Sequence, residues 1–302
     1  MYERIVVPLD GSTLAESVLP YVEALVKGGG ATLLLVQVNE SDIGGESPAH
    51  QQLLNKMSEQ RTTFGRAYLT HIARRLKDRG IQATGELLQG RVAGAVAKYA
   101  VEQKADLVAM STHGRTGLAR WRYGSVANEL RQMLPLPLLL LHAEEEQSEA
   151  YATAMAQQME DVVVPLDGSP IAEQALPHAV ELAKRLNVDI HIVRVVMRPY
   201  MAYAEPNAVE YYFELDTEMT NVANEYLQEV RKRLEAEGVR VTTRVFHGLA
   251  AENLVDYADA LGNSLVCMTT HGRTGLGRVV LGSVADKVLH DTTRPVFLIR
   301  AQ

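Results

Sequence analysis

Several residue types and patterns are scarce in this 302-residue chain, and each scarcity excludes a class of protein. The one cysteine, Cys267, excludes a disulfide framework and a cysteine-based zinc site. Thirty basic residues against 37 acidic ones give a net charge of −7 with no basic stripe, which disfavours nucleic-acid binding. No apolar run approaches the roughly 18 residues of a membrane span, and no basic-then-apolar secretion signal opens the chain. We therefore expect a cytoplasmic protein with neither a nucleic-acid nor a membrane partner.

The sequence repeats itself at a nearly constant spacing. Residues 3–38 align without gaps to residues 160–195, with 16 of 36 positions identical. Residues 111–130 align to residues 269–288, with 12 of 20 positions identical. The offset is 157 in the first alignment and 158 in the second, so both alignments belong to one duplicated unit.

The repeat predicts two domains of ordinary size. We assign domain one to residues 1–143, a Glu/Gln/Ala-rich linker to residues 144–158, and domain two to residues 159–302. Within each domain, short continuous apolar runs alternate with amphipathic helical patterns, which is typical of a parallel sheet covered by helices on both faces. The prediction is an α/β protein with two tandem, doubly wound, parallel five-stranded sheets of the Rossmann-like class.

Domain one shows the strand and helix patterns most clearly. Its predicted strands are Arg4–Leu9, Ala31–Val38, Gln82–Leu88, Leu107–Met110 and Leu138–His142. Its predicted helices are Leu14–Val26, Leu53–Leu76, Val92–Glu102 and Ser125–Gln132. Gly80 is expected to end the second helix, and Gly238 its counterpart in domain two.

The loop after the first strand carries an aspartate in both copies. In a doubly wound fold, ligands bind outside the carboxyl ends of the strands, and Asp10 and Asp167 follow the first strand of their copies directly. Each could accept a hydrogen bond from a ligand hydroxyl or amine. The alternative is that the aspartate only tightens the turn before Ser12 and Ser169, which suit the helix N-cap.

The loop after the fourth strand is rich in glycine and leads into a helix. It reads His113-Gly114-Arg115-Thr116-Gly117 and, six residues later, Gly124-Ser125, with the same pattern in domain two. Glycines free the backbone N–H groups, and a helix N-terminus attracts phosphate. The sequence therefore predicts a phosphate-binding loop, against the alternative of a purely structural turn. We expect Gly124→Val to block the phosphate without disturbing the fold.

Competing motifs for nucleotide or ester chemistry are missing from the sequence. No G-x-x-x-x-G-K-[ST] is present, no G-x-G-x-x-G follows the first strand, and no G-x-S-x-G occurs. No histidine pair has metal-ligand spacing. These absences argue against a P-loop NTPase, a nicotinamide-binding enzyme and an α/β-hydrolase, and we assign neither a catalytic residue nor a protein metal ligand.

In these loops the chain resembles a tandem universal stress protein, a member of a family with an adenine nucleotide α-hydrolase-like fold. The ATP-binding branch of that family carries G-x2-G-x9-G-[ST], and Gly114 with Gly124 has the required spacing. The first glycine of the motif is replaced in both copies, by Ser111 and Thr269. The resemblance implies ATP or AMP, with Mg²⁺, as the ligand. It also implies adenosine contacts from the two loop aspartates, and adenine held by backbone after the second strand.

The expected nucleotide-contacting residues come in matching sets from the two copies. In domain one they are Pro8, Asp10, Val38, Ser111, His113, Gly114, Arg115, Gly117, Gly124 and Ser125. In domain two they are Pro165, Asp167, Val195, Thr269, His271, Gly272, Arg273, Gly275, Gly282 and Ser283.

The resemblance also implies how the two domains associate and what the protein does. Single-domain members dimerise through the last strand, so Leu138–His142 is expected to pair antiparallel with Val296–Arg300 in an intramolecular pseudo-dimer, and further association of chains stays open. The leading hypothesis is a nucleotide-binding stress or signalling protein that is not an enzyme, with slow or no ATP turnover. Two alternatives remain: a nucleotide-free scaffold, and a nucleotide hydrolase or nucleotidyl transferase, whose usual Ser-Gly-Gly-x-Asp-Ser or His-x-Gly-His motifs are missing.

Overall fold

The computed structural model describes most of the chain and divides it into two compact units. The described residues are 2–27, 29–40, 48–112, 124–142, 153, 156, 158–197, 209–272 and 281–301. The units are Met1–Gln157 and Gln158–Gln302. The predicted linker, 144–158, falls almost wholly outside the described residues. Every helix in the described ranges is too short or too polar to cross a bilayer.

The first unit is a five-stranded parallel sheet with helical crossovers. Its elements are β1 (Arg4–Pro8), α1 (Thr13–Glu16), α2 (Leu19–Val26), β2 (Thr32–Asn39), α3 (Pro48–Asp78), β3 (Gln82–Gln89), α4 (Val92–Glu102), β4 (Leu107–Ser111), α5 (Ser125–Met133) and β5 (Leu138–Leu141). The strand order is β3-β2-β1-β4-β5, and all four neighbouring pairs are parallel.

The second unit has the same order of elements and the same sheet. Its elements are β6 (Asp161–Pro165), α6 (Pro170–Glu173), α7 (Leu176–Leu186), β7 (Asp189–Val196), α8 (Val209–Ala236), β8 (Val241–His247), α9 (Ala250–Leu261), β9 (Ser264–Thr269), α10 (Ser283–Asp291) and β10 (Val296–Ile299). The strand order is β8-β7-β6-β9-β10, again parallel throughout. The prediction of two doubly wound five-stranded sheets is confirmed. The antiparallel pairing of the two last strands stays a prediction.

Apolar strand residues form the core of each sheet. The central strand β1 pairs with β2 and β4, and its Val6 is fully buried. The strands β4 and β9 are buried along their whole length. Right-handed crossovers that run in opposite directions from β1 place helices on both faces of the sheet. Such two-sided cover explains why these strands are continuous apolar runs rather than alternating ones.

One predicted helix is broken in the structure. The pattern of Leu14–Val26 predicted a single helix, but the chain forms α1 and α2 with a break after Glu16. Pro20 causes the break, because proline has no N–H and its ring clashes with the carbonyl four residues earlier, here that of Glu16. Pro177 stands in the same relation to Glu173 and separates α6 from α7. Each first strand is therefore followed by a helix of a single turn.

The strand order fixes where a ligand site can lie. From β1 the chain winds outward through β2 and β3 and then returns to β4 on the other side of β1. The loops after β1 and β4 therefore leave the sheet side by side at its carboxyl edge, at the point where the winding direction reverses. The equivalent loops of the second unit follow β6 and β9.

Candidate functional site

In both units the aspartate of the first loop is held by the turn that follows it. Asp10 Oδ1 accepts hydrogen bonds from the N–H (2.9 Å) and Oγ (2.6 Å) of Ser12. Asp167 Oδ1 accepts one from the Ser169 N–H at 2.9 Å. The glycine between the aspartate and the serine has a positive φ, +82° at Gly11, which is a conformation that favours glycine. One carboxylate oxygen thus has a structural role, and the serine caps the helix.

In the second unit the two predicted loops touch at this carboxylate. A Cβ atom at Gly272 would overlap the Oδ2 oxygen of Asp167 and lie 3.3 Å from its Cγ. The glycine that the sequence motif requires after β9 is therefore needed for the close approach of Asp167. Both predicted residues belong to one site because the loops after β6 and β9 meet there.

A cavity of about 280 Å³ opens at this edge of the second sheet. Eight of the expected residues line it: Pro165, Asp167, Val195, Thr269, His271, Gly272, Gly282 and Ser283. Arg273 and Gly275 lie outside the described residues, as do His113, Gly114, Arg115 and Gly117 in the first unit. The cavity has the size of a small-molecule site.

The cavity wall contains both polar and apolar groups. Val193, Leu254 and Met268 are apolar lining residues, whereas the polar ones include Asp167 and Ser283. An apolar wall accepts a flat ring, and a carboxylate accepts hydrogen bonds from hydroxyl or amine groups. This composition suits a ligand that has both a ring and hydroxyl or amine groups.

A helix begins at the wall of the cavity, where Gly282 and Ser283 are lining residues. Among the described residues, no side chain caps the N-terminus of α10, where Gly282 is the N-cap, and the same holds for α5 at Gly124. The first N–H groups of these nine-residue helices therefore have no side-chain cap from the described residues, and in the second unit the start of α10 lines the cavity. Such a helix start favours a phosphate or another anion.

The glycines at these helix starts also make room for the protein's own backbone. The Gly124 N–H donates to the Thr112 carbonyl at 2.9 Å, and the Gly282 N–H to the Thr270 carbonyl at 2.8 Å. A Cβ atom at Gly124 would overlap the Thr112 oxygen, whereas one at Gly282 would lie 3.2 Å from the Thr270 oxygen. The expectation that Gly124→Val leaves the fold undisturbed is therefore wrong.

The two substitutions of the first motif glycine occupy different environments. Ser111 ends β4 and Thr269 ends β9, and each residue is 5% exposed. The Thr269 hydroxyl donates to the His271 carbonyl at 2.6 Å, so it braces the loop that glycine would leave free. The Ser111 Oγ has no hydrogen-bond partner within the part of the chain that the structure describes.

The side chain of His271 belongs to the same braced loop. Its Nδ1 lies 2.9 Å from the Thr270 hydroxyl, and that hydroxyl accepts the Ala301 N–H at 3.2 Å. The loop after β9 is thus fixed to the residues that follow β10. Hydrogen bonds within the protein therefore hold this part of the cavity wall in place.

The second strand of each unit ends one residue later than predicted. The prediction ended the second strand at Val38, or at Val195 in the second copy, whereas β2 ends at Asn39 and β7 at Val196, so the two valines are penultimate strand residues. Each strand pairs with the third strand up to its last residue, Asn39 with Gln89 and Val196 with His247. Val195 nevertheless lines the cavity.

Part of the cavity wall comes from the first two turns of helix α9, which the sequence analysis did not assign to the site. Ala250 and Leu254, at the start of α9, line the cavity. They follow β8 and Gly248, whose φ is +112°, and Gly90 stands at the equivalent position with φ +118°. The repeated glycine after the third strand was a signal in the sequence.

In the described ranges, no three His, Cys, Asp or Glu side chains converge as a metal site.

Comparisons with known proteins agree on one family. The model of the universal stress protein family matches residues 1–142 and again residues 159–300. A universal stress protein of Methanocaldococcus jannaschii is 31% identical over 140 residues, which are 46% of this chain and 81% of that protein. One of Mycobacterium tuberculosis is 28% identical over 205 residues, 66% of this chain and 63% of that protein. A solved universal stress protein from Archaeoglobus fulgidus has a TM-score of 0.71 at 17% identity, covers 99% of each chain, and supports the fold.

Proposed function

This chain belongs to the universal stress protein family, with one family domain in each half, and we propose that it binds adenine nucleotide, ATP or AMP. One observation carries the proposal. Asp167, apolar strand and helix residues and the uncapped N-terminus of α10 surround a single cavity. These three features match the ribose hydroxyls, the base and the phosphates of a nucleotide.

The parts of the ligand can be matched to parts of the wall. The Asp167 carboxylate, which lines the cavity, is the acceptor for a ribose hydroxyl or an adenosine amine. The apolar residues of β7 and α9 receive the base, and the first N–H groups of α10 receive phosphate. Magnesium arrives with the phosphates, and the Ser283 hydroxyl is an oxygen ligand of the kind that Mg²⁺ prefers.

We propose the same function for the first half. Its described counterparts, Pro8, Asp10, Ser111, Gly124 and Ser125, occupy the same positions in the same elements. Asp10 makes the same hydrogen bond to the following serine, and α5 likewise begins without a side-chain cap from the described residues. This correspondence supports two nucleotide sites in one chain.

We further propose binding with slow or no turnover. Hydrolysis needs a base beside the attacking water and preorganised charge where negative charge develops. Of the described lining residues, His271 is the one imidazole, and its Nδ1 is already close to the Thr270 hydroxyl. ATP hydrolysis well below about 1 per second is expected, and turnover at ordinary enzyme rates would contradict this proposal.

Denaturing the purified protein and separating the released small molecules tests the proposal. Recovery of adenine nucleotide, in proportion to protein, is the expected result. A matched preparation of an Asp10→Ala, Asp167→Ala variant is the control and should release less. Equal release from both preparations would assign the nucleotide to another part of the protein.

A further inference from the structure

In the second unit, the last residue of the one-turn helix α6 is tied to the long helix α8. Glu173 Oε1 accepts a hydrogen bond from the Tyr226 hydroxyl at 2.8 Å, and Oε2 accepts one from the Arg233 guanidinium at 2.8 Å. The Glu173 side chain is 25% exposed. Arg194 lies over the Tyr226 ring, 5.0 Å from its centroid. Both oxygens of one carboxylate are thus held by another element.

The first unit has the same cluster at the equivalent positions. Glu16 Oε1 accepts a hydrogen bond from the Tyr68 hydroxyl at 3.0 Å, and Oε2 accepts one from Arg75 at 3.1 Å. Corresponding residues are 157 or 158 positions apart, which are the offsets of the sequence repeat. The long helices otherwise differ in most of their residues, so a shared three-residue cluster indicates a shared role.

Helix α6 needs this attachment because it is too short to hold its own conformation. It spans four residues, and a single turn fixes many dihedral angles for few hydrogen bonds. It cannot be extended, because Pro177 would clash with the carbonyl of Glu173. The serine cap at one end and the Glu173 carboxylate at the other therefore determine where the turn lies.

The turn connects the cluster to the cavity through three hydrogen bonds. The Glu173 N–H donates to the Ser169 carbonyl at 3.3 Å, and the Ala172 N–H donates to Ser169 Oγ at 3.1 Å. The Ser169 N–H then donates to Asp167 Oδ1 at 2.9 Å. A displacement of α6 would reach the Asp167 carboxylate through one residue, Ser169.

The first unit provides electrostatic support for this connection. Burial raises the pKa of the Tyr68 hydroxyl above its usual range, and the negative charges of Glu16 and then of Asp10 raise it further. The Asp10 carboxylate, which accepts the N–H of the Ser12 cap of α1, is thus one of the charges that act on Tyr68. The cluster and the site aspartate are parts of one local arrangement.

We propose that Glu173 and Glu16 are positioning residues of the two nucleotide sites, which hold the one-turn helix so that Asp167 and Asp10 keep their binding orientation. The inference rests on the proposed nucleotide function. Neither glutamate is a ligand contact in this account. Their effect is preorganisation: the aspartate does not have to be ordered when the nucleotide arrives.

A pair of double variants tests the proposal in the full-length protein. Glu16→Gln with Glu173→Gln keeps the shape of each side chain but presents an amide N–H₂ to one of its two donors. Glu23→Gln with Glu181→Gln is the control with the same change of charge. Glu181 is also 25% exposed and pairs with Arg185 within α7, while Glu23 pairs with Arg79. Neither control ion pair involves the one-turn helices.

The first readout is amide hydrogen exchange and does not depend on a ligand. The Ala172 amide, capped by Ser169, should exchange about tenfold faster in the Glu16→Gln, Glu173→Gln variant, as expected for loss of one charge-assisted hydrogen bond. It should be unchanged in the control. Tyr226→Phe, which keeps the ring and removes only the hydroxyl, should also accelerate it. Equal exchange in all variants would overturn the proposal.

The second readout is ATP affinity by calorimetry. The Glu16→Gln, Glu173→Gln variant should bind ATP about tenfold more weakly than the control variant. In an Asp10→Ala, Asp167→Ala background the same substitutions should change affinity less than about twofold, because the positioned groups are gone. Additive losses in that background would overturn positioning through the aspartates. If the unmodified protein does not bind ATP, the proposed function is contradicted. The hydrogen-exchange result then still tests whether Glu173 positions Asp167.

Discussion

Gly272 lies so close to Asp167 that a Cβ atom on the glycine would overlap the Oδ2 oxygen of the aspartate. The other oxygen of the same carboxylate accepts the Ser169 N–H. Asp167 is therefore confined from two sides, by the loop after β6 and by the loop after β9. This confinement fixes the position of the carboxylate in the cavity wall. Substitutions in the loop after β6 and in the loop after β9 can test the two constraints separately.

Gly272→Ala should displace the Asp167 carboxylate. The overlapped atom is the end of a side chain, which can rotate away, so the free energy of unfolding should change by less than about 1 kcal/mol. Adenosine affinity of the second half should fall about tenfold or more, since a charge-assisted hydrogen bond is lost. Gly94→Ala, at a position with nothing within 4 Å, is the matched control. Unchanged nucleotide affinity in Gly272→Ala would contradict the site.

Asp167→Asn separates the two roles of the aspartate. The amide oxygen can still accept the Ser169 N–H, so stability should be retained, while the negative charge in the cavity is lost. Asp167→Ala should lose both the turn hydrogen bond and the ligand contact, at a cost of about 1 kcal/mol or more in unfolding free energy. Urea unfolding and nucleotide titration of both variants measure the two roles. If the Asp167→Asn variant binds nucleotide as well as the unmodified protein, the alternative that the aspartate only tightens the turn is sufficient.

Gly124→Ala and Gly282→Ala should differ although the glycines occupy equivalent positions. Both have φ −63°, which alanine tolerates. At position 124 the Cβ atom would overlap a backbone oxygen that cannot rotate away, so a loss of about 1–3 kcal/mol is expected. At position 282 the nearest oxygen is 3.2 Å away, and the loss should be below about 1 kcal/mol. Equal losses in thermal unfolding would show that the backbone adjusts at 124.

Thr269→Val should destabilise the protein, whereas Ser111→Ala should not. Valine keeps the shape of Thr269 but removes its hydrogen bond to the His271 carbonyl, at a cost of about 1 kcal/mol. Alanine at 111 removes a buried hydroxyl that has no partner among the described residues, so it should be neutral or stabilising by up to about 1 kcal/mol. Denaturant midpoints of the two variants decide the matter. A loss at Ser111 as large as that at Thr269 would show that its hydroxyl is satisfied.

His178 should make folding stability fall in acid. Burial lowers its pKa below the ordinary value of 6.5, so the unfolded chain takes up a proton at a pH where the folded protein does not. The free energy of unfolding should therefore decrease as pH falls through about 6.5 toward the folded pKa, with no contribution above about pH 7.5. His178→Tyr introduces the tyrosine that the first unit has at the equivalent position, Tyr21. This variant should reduce the pH dependence of the free energy of unfolding. An equally steep pH dependence in the variant would contradict the assignment.

Much of the fold could be predicted because the same hydrophobic periodicity occurs in both copies of the repeat. The helix Val92–Glu102 was predicted with its observed bounds, and Gly80 follows the end of α3 with φ +81°. The break after Glu16 was missed because the apolar pattern continues through it. Proline stereochemistry at Pro20, rather than periodicity, decides that boundary.

The candidate site was readable only in part. Residues next in sequence to a strand end, such as Asp167 and Gly272, were identified from their loops. Leu254 was missed, because its place in the cavity depends on how α9 packs. The difference between Ser111 and Thr269 depends on whether a carbonyl lies within reach of the hydroxyl, which is a three-dimensional property. The Glu173 cluster joins residues more than 50 positions apart, and no periodicity reports such a contact.

Isothermal titration of the purified, nucleotide-free protein with Mg-ATP tests the central claim most directly. The account predicts saturable binding with a stoichiometry near two, one nucleotide in each half. It also predicts that the Asp10→Asn, Asp167→Asn variant binds about tenfold more weakly or worse. A stoichiometry near one would make the two halves unequal. The absence of any binding heat, together with no nucleotide released from the freshly purified protein, would contradict the account and favour a nucleotide-free scaffold.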